Sequence, residues 1–329
     1  MNTNLSKLNK KLICVTIGDI KGIGIHLLLK EFKKEKINNF VLLTNINIFN
    51  KYIKFPKNRI NILNEENFNN YNKNKLNILS FKTKNINTNT MDSLIISYEL
   101  TQKKKFIGIL TLPLNKYKIK KTINKSFIDQ TSFFSKKEKE RYSNMVFYHK
   151  KKFFIPLTIH IEIKKVYKSF QNKILMSKKI KNLYHTLIND FKIIKPKMIL
   201  AGINPHAGEN KTISKDDNKY LLPIINLLKK RGLFIDGPVS GDGMINNQNL
   251  NYYDAFIFTY HDQALIPFKI LSNYQGVNFT SNLDIIRVSP SHGTAENLIG
   301  SKKVISNGII NCFNLIKKIN RNRTKIDSS

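Results

Sequence analysis

Cysteine is nearly absent: Cys14 and Cys312 stand near opposite ends of a 329-residue chain. Two such distant thiols make neither a disulfide framework nor a thiolate metal site, which fits a reducing cytosol. Long apolar runs are missing too, and none approaches the roughly 20 residues that a membrane-spanning helix needs. The start, MNTNLSKLNKKLICVTIG, carries lysines and a short apolar run but no small-residue cleavage site, so it reads as a first strand entering a glycine turn rather than a secretory leader. The expectation is a soluble cytoplasmic protein with no membrane partner. Acidic residues are scarce, 22 against 56 lysines and arginines, for a formal charge of +34. The cations are dispersed, with no stripe and no nucleic-acid motif. Lysine, asparagine and isoleucine dominate everywhere, as in NKNKLNILSFKTKNINTNT (72–90). That is the mark of drift toward AT-rich codons. The charge predicts non-specific adhesion to polyanions and a field that attracts anionic substrates, with no specific nucleic-acid partner.

What is there is a succession of short apolar runs ending in glycine or polar residues. They are LICVTIG (12–18), FVLLTN (40–45), IGILTLP (107–113), FIPLTIH (154–160), MILAGIN (198–204) and DAFIFTYH (254–261). Amphipathic stretches at 25–34, 178–192 and 218–232 lie between several of them. Near-continuous apolar strands alternating with such helices predict an α/β architecture around largely parallel sheets. Residues 46–90, rich in asparagine and lysine, are expected to hold loops and weak elements, and 321–329 a frayed tail.

In open parallel sheets ligands bind beyond the carboxyl ends of the strands. Three of the runs lead into a histidine there: His160, His206 (in INPHAGE) and His261 (in YHDQ). If those strands are parallel neighbours, three imidazoles share one sheet edge. Three histidines with an open fourth position are a recognised catalytic zinc arrangement.

The segments INPHAGE, YHDQALIPFK, GVNFTSNLDIIR and HGTAENLIG, in that order, resemble the signature segments of the 4-hydroxythreonine-4-phosphate dehydrogenase family. The resemblance extends from GDIKGIG (18–24) through TLPLNK (111–116) to the C-terminal region. It implies a two-domain α/β fold like that of isocitrate and isopropylmalate dehydrogenases, with the active site in the interdomain cleft. The corresponding division is 1–130 plus 296–320 for the first domain, 131–295 for a second carrying metal and substrate residues, and a tail at 321–329. It further implies a homodimer with shared active sites and a small phosphorylated amino acid, 4-phosphooxy-L-threonine, as substrate. Oxidation with decarboxylation would yield 3-amino-2-oxopropyl phosphate, for pyridoxal phosphate biosynthesis. NAD or NADP would accept the hydride, and one divalent metal, zinc, magnesium or cobalt, would assist.

Residue by residue, the resemblance puts the metal on His160, His206 and His261. It puts the substrate on Lys269, Asn278 and Arg287, with Thr131 and Gln130 on a wall of the pocket. A lysine gives an anion a point charge and an arginine a two-pronged fork. Asp242 and Asp262 are the candidates for the base that takes the hydroxyl proton, and either is equally a group that orients a metal ligand. No G-x-G-x-x-G fingerprint follows a strand; the glycines of GDIKGIG suit a tight turn opening the helix at 25–34. HGTAENLIG resembles a segment that contacts the adenosine in the related decarboxylating dehydrogenases, and that resemblance implies a dinucleotide near His292, Gly293, Thr294 and Asn297.

The chain departs from the family at several points. Its F-x-G-H-T-E segment reads FIDQTSF here: Asp129 replaces glycine, Gln130 a substrate-binding histidine and Ser132 a glutamate. Ile17, Ile20 and Ile25 replace prolines, and Ser291 an aspartate. Gln130 can donate a hydrogen bond but cannot carry positive charge. Asp129 is unfavourable beside an anionic substrate unless it is turned away or paired. Alternatives to the family reaction are a related four-carbon phosphorylated hydroxy acid as substrate, a homologue of low activity, and a basic polyanion-binding protein reusing the fold.

Overall fold

The computed structural model describes residues 12–64, 68–123, 125–138, 142–301 and 306–324. Among them the strands are β1 (Ile13–Thr16), β2 (Phe40–Leu43), β3 (Ile60–Leu63), β4 (Leu76–Leu79), β5 (Ile109–Thr111), β6 (Met145–His149), β7 (Lys152–Pro156), β8 (Lys197–Ala201), β9 (Phe234–Val239), β10 (Ala255–Phe258), β11 (Val277–Thr280) and β12 (Arg287–Pro290). All six apolar runs singled out in the sequence overlap one of these strands. Every residue of β1, β2, β4 and β10 is buried, as expected of parallel strands covered on both faces. No helix among the described residues is long and apolar enough to cross a membrane.

The chain divides into two compact units, 1–134 with 284–321 and 135–283 with 322–329. In the first the order is β3-β4-β2-β1-β5-β12, all parallel. Gly18, just past β1, has φ +62°, and a Cβ there would lie 2.5 Å from the Pro113 carbonyl oxygen, so no other residue fits this turn. The turn feeds the helix Ile23–Lys33, which buries Ile25, Leu28 and Phe32 and ends in Lys30 and Lys33, cations against the negative end of its dipole. The sequence division assigns Arg287 to the second domain. The structure puts it in the first unit, because Arg287 and Val288 pair in register with Ile109 and Leu110 of β5.

The asparagine-rich stretch 46–90, expected to be loops, is built of defined elements. Asn45 caps the helix Ile46–Tyr52 through Asn47 N and Ile48 N, and Asn85 forms a capping box with Thr88 at the helix Ile86–Gln102. Asn77, 2% exposed, donates to the Asn72 and Lys75 carbonyls and ties the end of β4. The asparagines that suggest loops are spent on caps and turn bonds.

In the second unit the order is β11-β6-β7-β10-β8-β9, with β6 antiparallel to both neighbours and the remaining pairs parallel. Its core stacks Phe154 against Phe256 at 5.5 Å, with Phe147 and Phe268 alongside. The expected tail is helical as far as Thr324, in the helix Asn307–Thr324, and Arg323 grips Asp190 with Nε and Nη2 at 2.7 and 2.8 Å. Residues 325–329 lie outside the described residues.

Candidate active site

The three histidine-bearing segments leave adjacent parallel strands, because β10 pairs with β7 on one side and β8 on the other. The condition for a shared edge is therefore met. The strands end earlier than the apolar runs suggest. β7 stops at Pro156 and β10 at Phe258, so His160 and His261 stand on the segments beyond rather than closing the strands. His160 has φ 54°, and His206 begins a stretch in which residues 206–210 all have positive φ. Left-handed backbone at non-glycine residues costs on the order of 1 kcal/mol each and persists only where the surroundings impose it. Just before the second stretch the fully buried Asp217 anchors the chain, its carboxylate accepting from Ile203 N at 2.7 Å and from Asn204 Nδ2 at 2.8 Å.

His261 opens the helix His261–Ser272, and its Nδ1 lies 2.7 Å from Asp262 Oδ1. That contact leaves Nε2 as the ring's outward nitrogen. The His160 and His261 ring centroids are 5.3 Å apart. Two imidazoles sharing one tetrahedral ion at metal–nitrogen distances near 2 Å have centroids roughly 5 Å apart, so this pair fits a metal. Among the described residues no three His, Cys, Asp or Glu side chains close to ligating distance. His206 instead lines a pocket of about 550 Å³ together with Ser240, Asp242, Tyr260 and Gln263, over an apolar wall that includes Ile266. Asp242 accepts from the Ser240 hydroxyl and from Gly243 N at 2.9 Å. The Ser240 bond first, then the Gly243 amide and the nearness of His206, hold its carboxyl below the usual range. Lys269 lies on the same helix as His261, about 12 Å further along its axis at 1.5 Å per residue, and is exposed. Asn278, on β11, buries an Oδ1 that has no hydrogen-bond partner among the described residues.

Arg287, Gln130 and Thr131 come together in the first unit. Arg287 is 2% exposed. It donates from Nε and Nη2 to Thr111 Oγ1 at 3.0 and 2.7 Å, from Nη2 also to Gln130 Oε1, and from Nη1 to Thr131 Oγ1 at 3.4 Å. Gln130 is bonded at both ends of its amide, its Nε2 donating to the Leu112 carbonyl at 3.0 Å. Burial pulls the guanidinium down to a pKa of about 10, and Asp129 opposes that shift. Asp129 is thus paired. It is 2% exposed, accepts from Ser132 N at 2.8 Å at the start of the helix Gln130–Lys137, and supplies negative charge to both Arg287 and Lys116. Thr111 and Lys116 belong to TLPLNK, but no role was legible for them in sequence. A threonine closing a strand is the available signal for Thr111.

The segment 292–300 docks on the start of the helix Ile23–Lys33: the Thr294 carbonyl accepts from Ile23 N at 2.8 Å. Glu296 and Asp19 share Lys118 at 3.3 Å each. Burial lowers the pKa of His292, and its Nε2 and the Ser291 Oγ are buried without hydrogen-bond partners among the described residues. Gly293 has open space where a Cβ would be, and Asn297 is exposed. Unfilled polar atoms beside an open glycine fit a bound dinucleotide.

The family described as "Pyridoxal phosphate biosynthetic protein PdxA" matches residues 35–316. Among curated relatives, the 4-hydroxythreonine-4-phosphate dehydrogenase of Aquifex aeolicus is 34% identical over 212 residues, 64% of this chain and 65% of that protein. The protein of the same name from Bacteroides thetaiotaomicron is 30% identical over 193 residues, 58% of this chain and 52% of that one. The aligned stretches thus span less than two thirds of these relatives' length. The solved structure of 4-hydroxythreonine-4-phosphate dehydrogenase from Klebsiella pneumoniae superposes with a TM-score of 0.78 over 94% of this chain and 99% of that one, at 22% identity. That likeness establishes a common fold.

Proposed function

The chain belongs to the PdxA family of pyridoxal phosphate biosynthetic proteins, and from that premise we propose that it oxidises 4-phosphooxy-L-threonine. Hydride passes to NAD or NADP, and the resulting β-keto acid loses carbon dioxide to give 3-amino-2-oxopropyl phosphate. The observation that carries this reading is the neighbouring order of β7, β10 and β8, with a histidine beyond each and two of the rings 5.3 Å apart. When bound, a divalent ion (zinc, magnesium or cobalt) would supply positive charge against the reacting oxygen, and the nicotinamide would supply the hydride acceptor.

In this proposal His160, His206 and His261 hold the ion. Asp262, bonded to His261 Nδ1, fixes that ring with Nε2 forward. Asp242 takes the hydroxyl proton. It lines the pocket with His206, and its carboxylate faces the space that a substrate hydroxyl would enter. Lys269 and Arg287 draw the substrate's anionic groups, Thr131 and Gln130 frame Arg287, and the unpaired Asn278 Oδ1 accepts from a substrate donor. His292, Gly293, Thr294 and Asn297 line the dinucleotide. The protein works in the cytoplasm as a homodimer with shared active sites.

One observation favours a second reading, a related phosphorylated hydroxy acid or a slower reaction. Nε, Nη1 and Nη2 of Arg287 are all engaged within the protein, beside the buried carboxylate of Asp129. The deciding assay mixes the protein with 4-phosphooxy-L-threonine, a divalent ion and NAD or NADP, and follows reduced nicotinamide by absorbance. The expected result is metal-dependent turnover that His206→Ala abolishes. Turnover of a related phosphorylated hydroxy acid in its place would support the second reading, and none with either would refute both.

A further inference from the structure

The side chain of Gln263 touches more of the segments around the histidines than any role given above requires. It lies two residues beyond His261 in the first turn of the helix His261–Ser272. Its Oε1 accepts from Thr259 N and Thr259 Oγ1, both at 2.9 Å. Its Nε2 donates to the Gly202 carbonyl at 3.0 Å, on the segment leading from β8 to His206. Gly241, which precedes Asp242, packs on the same amide: a Cβ there would lie 2.7 Å from Nε2. Thr259 carries the linkage onward, since its carbonyl accepts from Thr158 Oγ1 at 2.6 Å on the segment leading from β7 to His160. One carboxamide, with one acceptor and one donor used at once, therefore ties the segments of His261 and His206, abuts that of Asp242 and reaches that of His160 through one threonine. A carboxamide presents both functions on adjacent atoms. A carboxylate only accepts and an ammonium only donates.

We infer that Gln263 is a positioning residue that ties together the segments bearing the three histidines, from which they close on a single metal ion. It acts through Thr259 and Gly202, to which both ends of its amide are bonded. The inference rests on the metal reading above and adds to it the group that fixes the spacing. Three imidazoles on three separate strand ends must agree to within a few tenths of an ångström to share one ion. Between the β7 and β10 segments the backbone pairing runs on as far as Thr158 N to the Thr259 carbonyl at 3.3 Å, and the Gln263 amide joins the β8 segment to them at the same level.

The test is titration of the protein with Co²⁺, following the visible ligand-field band, which reports coordination geometry. The variants are Gln263→Met, which keeps the length and apolar packing but removes both hydrogen bonds, and Gln263→Ala. His206→Ala is the control. The expected result is an apparent Co²⁺ affinity 10–100-fold weaker in both Gln263 variants, the usual cost of removing a group that orients metal ligands. The band should also change shape at saturation, with far-ultraviolet circular dichroism unaltered. If Gln263→Ala does not fold, Gln263→Met carries the decision. Wild-type affinity and band in Gln263→Met, with binding lost in His206→Ala, would overturn the positioning role alone. Undiminished binding in His206→Ala would overturn the metal reading and this inference with it.

Discussion

Replacing Thr111 by valine isolates the buried bonds of Arg287 with almost no change of shape. Thr111 is fully buried, and its hydroxyl accepts from Arg287 Nε and Nη2 at 3.0 and 2.7 Å while donating to Gln130 Oε1 at 3.0 Å. Valine fills the same volume and offers none of these bonds. Nη2 keeps Gln130, while Nε loses its Thr111 acceptor in a site where burial already depresses the guanidinium pKa to about 10. A hydrogen bond to a charged group contributes about 1.5–3 kcal/mol, and a stranded buried donor costs about 1–3 kcal/mol. Allowing for overlap between the two terms, Thr111→Val should destabilise the protein by about 2–4 kcal/mol. Thr111→Ser, which keeps the hydroxyl, should cost about 1 kcal/mol from the lost methyl. The chain has no tryptophan, so urea unfolding is followed by circular dichroism and tyrosine fluorescence. Equal stability of the valine and serine variants would refute the claim that Thr111 holds the guanidinium.

If Gln130 merely stands in for the family's histidine, Gln130→His should raise kcat/KM. The two-ended bonding of its amide argues the reverse, a loss of stability of about 1–3 kcal/mol and a lower kcat/KM, and a gain in steady-state assay would refute the structural reading. Arg323→Ala leaves the Asp190 carboxylate, 5% exposed as a side chain, without its two-pronged partner, and should lower the thermal midpoint by several degrees in calorimetry; an unchanged midpoint would show the pair to be inert. Lys179 donates to the Leu157 carbonyl at 2.6 Å, and burial drags its pKa from 10.5 to about 8. Between those values the unfolded chain binds the proton and the folded one does not, so the Lys179 contribution to stability rises with pH through that window. Any stability advantage of Lys179→Met over wild type should therefore shrink from pH 8 to pH 10.5 in urea titrations, and a constant difference would refute the burial argument.

The α/β class and the histidine edge were legible because parallel strands buried on both faces leave an unbroken apolar signature, and the residues after those runs mark one end of the sheet. The β6–β7 hairpin was not. Its two connecting residues, Lys150 and Lys151, have φ 44° and 66°, a conformation that glycine or asparagine would have announced and lysine does not. The elements within 46–90 were hidden because one residue type, asparagine, serves caps, turns and loops alike. The substrate role of Arg287 is implied by a motif, and only packing reveals that Thr111 and Gln130 hold that side chain and that Asp129 balances its charge. Gln263 stood in plain view within YHDQ. Its reach to Gly202 is a contact across 61 positions, which no local pattern encodes.

Asp129 also bears on how this chain can change over time. The residue both starts the helix Gln130–Lys137 and supplies negative charge to Arg287 and Lys116. A single step back to the family's glycine would remove both at once, leaving two neighbouring cations without that carboxylate. A single step from Gln130 to histidine would set a group able to carry positive charge against the same guanidinium. Each reversion is harmful, and neither relieves the other, since both add to the unbalanced positive charge around Arg287. The departure from the family pattern is therefore held in place by its own chemistry, like a ratchet tooth that one mutation cannot lift.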